Sequence, residues 1–194
     1  LARRLSDGKT VAIKETTVHD EAKNWISEVN VFVKIHGIPH TVGYLETFFD
    51  PVSQHGILVF EFCDGGDLQK LLKSRRSASG AFTPFHESLL LLWAEQLLTV
   101  LAHTDSQQLV HKDIALRNIF AVDSKDLSKG IKLGDFGLTE LMQSRSALFS
   151  KAWSVCKSPD FLSTPASDVW SLGCVLHCLM CGIDPDDMDA QGKS

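Results

Sequence analysis

Three short runs of polar residues carry the chemistry of this chain. His111-Lys112-Asp113-Ile114-Ala115-Leu116-Arg117-Asn118 places a carboxylate and a carboxamide five positions apart, and Asp135-Phe136-Gly137 follows, with its Asp seventeen residues after the Asn. Phosphoryl transfer from a magnesium-bound nucleotide needs such a set: one carboxylate orients the attacking hydroxyl, while an amide and a second carboxylate hold metal. On that reading Asp113 accepts or orients the hydroxyl proton. Asn118 and Asp135 are the magnesium ligands, because Mg2+ favours hard oxygen donors together with phosphate oxygens. Upstream, Val11-Ala12-Ile13-Lys14 puts one ammonium on an otherwise apolar strand, where a lysine is seldom left unpaired. Each run alone has a blander reading, a turn after a strand for Asp135-Phe136-Gly137 and a surface ion pair for Lys14. Their order along one chain decides against it.

Periodicity indicates the elements that must hold these residues. Residues 1–16 read as a hairpin, with Asp7-Gly8-Lys9 as the turn and residues 10–14 as a β-branched strand. Between His19 and Ile35, the apolar Trp25, Ile26, Val29, Phe32 and Val33 recur at steps suited to a helix, which Gly37 and Pro39 end. Strands are expected near 41–48 and 56–62, joined by the Asp50-Pro51 turn. Cys63-Asp64-Gly65-Gly66-Asp67 is a flexible joint into a helical second half. That half begins with a basic helix end at 70–76 and continues with a long buried helix over 82–102. The last helix, 168–181, is apolar on nearly all sides and is expected to be buried. Gly182 ends it, and the acidic stretch 184–189 reads as frayed.

Composition narrows the function classes. The 194 residues, 44% hydrophobic and 22% charged, suit one core or two small lobes of an ordinary globular protein. A net charge of -5 argues against nucleic acid as a partner, and no run approaches the roughly 18 apolar residues of a membrane span. Leu1-Ala2-Arg3-Arg4 leads into no apolar region, so no signal peptide is read. The five cysteines, Cys63, Cys156, Cys174, Cys178 and Cys181, are odd in number, as expected of reduced thiols in the cytoplasm or nucleus. Cys174, Cys178 and Cys181 share one helix face with no partner pair at zinc spacing, so core packing is expected.

In order and spacing the three runs resemble the eukaryotic protein kinases. The resemblance covers Leu1 to about Gly182 and implies an α+β, two-lobed fold. Residues 1–62 would form the smaller β-rich lobe, and 63–194 the mainly helical one. The implied activity is transfer of the ATP γ-phosphoryl group to serine or threonine of a protein substrate, with ATP and Mg2+ as cofactors. It makes Lys14 the lysine on the α- and β-phosphates and Glu28 its helix partner. Backbone groups of Glu61 and Cys63 would bond the adenine edge, Ala12 and Phe120 would cover its two faces, and Phe60 would bound the back of the pocket. Asp168 matches the buried helix aspartate that fixes the catalytic loop's backbone. Tyr44-Leu45-Glu46-Thr47-Phe48, Phe62-Cys63-Asp64-Gly65-Gly66-Asp67-Leu68, Asn118-Ile119-Phe120 and Lys132-Leu133-Gly134-Asp135-Phe136-Gly137 look like the NIMA-related serine/threonine kinases.

There are departures from that pattern. The glycine-rich phosphate loop should stand before Leu1, and helices should follow Gly182, so the chain reads as a fragment truncated at both ends. Ala115 stands where serine/threonine kinases usually carry lysine, while Arg117 is similar to receptor tyrosine kinases and could bring a cation to the transferring phosphoryl group. Lys112 replaces the commoner arginine and lacks its bidentate fork. Ser158-Pro159-Asp160 closes a segment in which Trp153 takes the usual threonine's place and Ser144, Ser146, Ser150 and Ser154 are candidate phosphorylation sites. Two alternatives follow: a catalytically impaired, pseudokinase-like scaffold, and a tyrosine kinase.

Overall fold

The computed structural model describes residues 1–17, 22–141, 158–159 and 164–185. Strand β1 (Ala2–Arg3) turns at Asp7–Gly8 into β2 (Thr10–Thr17), as the Asp-Gly signal predicts. Helix α1 (Ala22–Ile35) follows, then β3 (Tyr44–Asp50) and β4 (His55–Glu61) around the Asp50-Pro51 turn. The four strands make one antiparallel sheet in the order β1-β2-β4-β3. Its β2–β4 register sets Lys14 opposite Leu58 and Ala12 opposite Phe60.

The second half holds α2 (Leu68–Ser74), α3 (Glu87–Ser106), β5 (Leu109–Val110), β6 (Ile119–Ala121), β7 (Ile131–Leu133), β8 (Glu140–Leu141) and α4 (Pro165–Cys181). Strands β6 and β7 pair as a hairpin, and β5 pairs with β8. The mixture of a sheet-built half and a helical half is the α+β architecture expected. No described helix is long and apolar enough to cross a membrane.

Local chemistry explains most helix boundaries. Asp67 caps α2 by accepting from the Lys70 amide at 2.8 Å. Thr164 and Ser167 form a capping box for α4 with Pro165 in its first turn, and Gly182 ends it at φ 69°. The helix expected from residue 82 starts instead at Glu87, because the Arg75 guanidinium holds residues 83–84 extended through the Thr83 and Pro84 carbonyls. The α2 helix ends at Ser74, before Arg75 and Arg76 of the basic run.

One apolar core runs through both halves, from Phe32 and Leu58 through Trp93 and Leu116 to Leu172 and Leu179. Three expectations about its edge fail. Helix α4 is not buried all round: Leu172, Val175, Cys178 and Leu179 face the core, while Val169, Trp170 and Met180 are exposed. Of the three cysteines on that helix only Cys178 is buried, with Cys174 half-buried and Cys181 exposed, because the i, i+4, i+7 row drifts off the buried face. Asp184 is not frayed but buried beside α2, where Gln69 donates to it at 3.0 Å and the Lys73 ammonium lies at 3.0 Å. The joint between halves is closely packed as well. The Ala121 amide donates to the Gly66 carbonyl at 2.9 Å, and a Cβ on Gly65 would lie 2.6 Å from the Ala121 Cβ and 2.7 Å from its carbonyl oxygen. Gly65→Ala should therefore force backbone apart and lower stability by about 2 kcal/mol in urea denaturation, as overpacking does.

Candidate active site

The loop from His111 to Asn118 is fixed from beneath by one carboxylate. Asp168, in the first turn of α4, accepts the backbone amides of His111 at 2.7 Å and Lys112 at 3.0 Å. This is the anchoring expected of it. Those bonds hold Lys112 at φ 70°, a left-handed conformation that a non-glycine residue adopts only under constraint. His111 is fully buried and joins three pieces of chain. Its Nδ1 accepts from the Asp113 amide at 3.2 Å, so its Nε2 carries the proton and donates to the Gly134 carbonyl at 3.2 Å. Its ring meets Phe136 edge-on at 4.6 Å, and Phe136 in turn meets Phe32 of α1 at 6.3 Å. Burial pushes the imidazole's pKa down. Burial likewise pushes the Asp168 carboxyl up, opposed by His111 and the two amides.

Above this anchor the polar residues converge. Asn118 Nδ2 donates both to the Asp113 carbonyl and to Asp113 Oδ2, each at 2.8 Å. The Asn118 carbonyl accepts from the Gly134 amide at 2.8 Å, which brings the second run alongside the first. Asp135, at φ 54°, extends its carboxylate to Lys14 of β2, with Nζ to Oδ1 at 3.1 Å across 121 residues of sequence. Both side chains are partly exposed, so the pair adds under about 1 kcal/mol to stability and matters mainly for position. Arg117 donates to Asp113 Oδ1 at 2.5 Å, so the cation expected near the transfer site is bound to its carboxylate.

The donors suit magnesium. Among the described residues no group of three or more His, Cys, Asp or Glu could hold a metal. Mg2+ needs no such cage, since it takes one or two protein oxygens and completes its shell with phosphate and water. The Asp135 carboxylate is one such oxygen donor, and Asn118, with its nitrogen committed to Asp113, can offer its amide oxygen.

A cleft of about 420 Å³ opens beside Asp135, and Ala12, Lys14, Phe60, Glu61, Cys63, Phe120 and Asp135 all line it. Ala12 and Phe120 belong to different halves. Burial and the neighbouring Glu61 carboxylate push the Cys63 thiol up to about 11, so it stays protonated near neutral pH. Sequence reasoning passed over Asp67 and Lys70, which also line the cleft and whose side chains pair at 2.9 Å. The Asp three residues before a Lys at a helix start signals a cap, but nothing in that spacing says that the helix begins at a cleft. Glu28 lies in α1, with its side chain outside the described residues, as do Ser144, Ser146, Ser150, Trp153, Ser154 and Asp160.

Over residues 1–193 the sequence matches the protein kinase domain family. The chain belongs to that family. It is 29% identical to the probable serine/threonine-protein kinase nek3 of Dictyostelium discoideum, over 91% of this chain and 16% of that protein. Serine/threonine-protein kinase Nek5 of Mus musculus is 31% identical over 91% of this chain and 27% of its own length. Serine/threonine-protein kinase PLK4 of Xenopus tropicalis is 28% identical, covering 97% and 20%. The chain therefore spans less than a third of each of these relatives. The likeness to NIMA-related kinases holds at this level, with a Polo-like kinase also among the relatives.

The anchor of the kinase domain's loop makes two measurable demands. Asp168→Ala leaves two buried amides without an acceptor and should lower stability by about 3 kcal/mol in urea titration. His111 stays neutral when folded, whereas the unfolded chain takes up a proton below the ordinary value of 6.5, so stability falls as pH drops through that range. His111→Tyr should flatten the dependence between about pH 7.5 and about pH 5.5 by up to one proton.

Proposed function

We propose that this chain is the catalytic domain of an intracellular protein serine/threonine kinase that transfers the γ-phosphoryl group of ATP to protein hydroxyls with Mg2+. The observation that carries the reading is the 3.1 Å contact of Lys14 with Asp135, at the end of a cleft whose walls come from both halves. Among the described residues, Lys14, Asp135, Asn118 and Asp113 support it from three stretches of chain, although Lys14 and Asn118 are far apart in sequence.

In the proposed reaction the adenine lies between Ala12 and Phe120, with backbone groups of Glu61 and Cys63 along its edge and Phe60 behind it. Lys14 binds the α- and β-phosphate oxygens, with Glu28 of α1 as its partner. Asp113 accepts or orients the acceptor's hydroxyl proton. Its carboxylate is held in place by Asn118 on one oxygen and Arg117 on the other. Asn118 and Asp135 would hold the metal, and Mg2+ bound there would neutralise charge on the phosphate oxygens. Little covalent work falls to the protein, so the rate comes from positioning and charge complementarity.

One observation favours a second reading of the acceptor. Ala115 is buried and apolar, and the cation at Asp113 is Arg117, as in the receptor tyrosine kinases that this stretch resembles. Phosphoamino-acid analysis of a mixed peptide substrate should yield phosphoserine and phosphothreonine; phosphotyrosine would move the acceptor to tyrosine.

Two measurements test the reading. Mg-ATP at about a hundred times its Kd should add about 2.7 kcal/mol to stability in thermal denaturation. Asp135→Ala should reduce transfer about a thousandfold or more while leaving the chain folded. Near-normal turnover in that variant would remove the metal role.

A further inference from the structure

The transfer reaction leaves the ion pair of Glu61 with Lys132 unused. Glu61 closes β4 where the joint begins, and its side chain turns to a different task from its backbone. Oε1 accepts from the Gly43 amide at 2.5 Å and from the Lys132 ammonium. The Glu61 amide returns a bond to the Gly43 carbonyl at 2.8 Å, so the glycine is gripped from both sides. A Cβ on Gly43 would lie 3.1 Å from Oε1 and 3.2 Å from Cδ, so only glycine admits the carboxylate without displacement.

Lys132 comes from the other half. It lies on β7, directly opposite Phe120 of β6, the residue that floors the cleft. The strand carrying Lys132 is itself laced to the segment before Gly43: the Val42 amide donates to the Leu133 carbonyl at 2.8 Å, and the Leu133 amide to the His40 carbonyl at 2.8 Å. The Glu61–Lys132 pair is thus the side-chain member of a three-part tie between the roof strand β4, the 40–43 segment and the floor hairpin.

We propose that Lys132 is a positioning residue for the nucleotide. Through Glu61 it sets the height of the joint's backbone above Phe120, and so the width of the slot that receives adenine. The proposal rests on the kinase reading, and it assigns Lys132 to nucleotide affinity rather than to transfer. An ammonium on β7 that served only to dissolve the surface would not share a carboxylate oxygen with a backbone amide at the cleft's edge.

Lys132→Met keeps the apolar stem and removes the charge. Binding of a fluorescent ADP analogue with Mg2+, and initial rates with ATP and a serine peptide, are compared with the unaltered 194-residue chain. Kd and the KM for ATP should rise about fivefold, the range of a partly exposed ion pair, with kcat within about twofold. Lys132→Arg should restore them. Gly43→Ala, which pushes the carboxylate from its seat, should raise Kd in the same direction. If Lys132→Met does not fold, Glu61→Gln replaces it, with the same rise in Kd expected. Unchanged Kd in these variants overturns the proposal, and so does a fall in kcat at constant KM. An unaltered chain that binds no nucleotide would instead overturn the kinase reading, which keeps the two failures apart.

Discussion

The loop that carries Asp113 and Asn118 is positioned by a buried carboxylate from another element. Asp168 sits in the core at the start of α4 and takes two consecutive backbone amides from the loop above it. A buried carboxylate is costly unless its lone pairs are used, and buried amides are costly unless accepted. Each satisfies the other, so the loop has one low-energy position relative to the helix. Lys112's left-handed backbone is the strain that this arrangement tolerates.

From that anchor a column of rings rises to the sheet. His111 meets Phe136, Phe136 meets Phe32 of α1, and Phe32 packs against Tyr44 and Phe60 of the neighbouring strands at 5.6 and 4.9 Å. Of these contacts, Phe136 with Phe32 crosses from one half to the other. Burial of Phe136 is coupled to the direction of the adjacent Asp135, because the left-handed turn at Asp135 sends the two side chains opposite ways, one into the core and one toward Lys14. An apolar packing event thus determines where the Asp135 carboxylate stands. The exposed Lys14–Asp135 pair contributes little stability of its own. It reports that the column beneath it is assembled.

The cleft follows from the same economy of contacts. The two halves share one core, and the joint at Gly65–Gly66 lies against β6, whose backbone approaches too closely for any side chain at Gly65. Beyond that seam the halves separate, leaving an apolar slot edged by the Glu61–Lys132 tie and ended by the polar cluster. Such a shape suits a flat, largely apolar base with a charged tail.

Residue types and their order, with the resemblance they carry, single out Asp113, Asn118, Asp135 and Lys14, and the structure brings Lys14 to Asp135 and Asn118 to Asp113. Periodicity placed α1, β4 and α4 within a few residues, since a buried face leaves a period that the chain cannot hide. Asp184 shows where such reading stops. A charged residue after a helix-ending glycine looks solvated, and only the approach of α2, with Lys73 and Gln69, buries it. Cys181 and Trp170 fail in the opposite sense, because hydrophobicity cannot say which side of an apolar helix finds a neighbour. Glu61 was legible as joint backbone but not as the partner of Lys132, 71 residues away. Local sequence determined which groups and elements exist. Pairings between distant elements were decided by tertiary packing, because a contact's energy depends on what approaches from elsewhere in the chain.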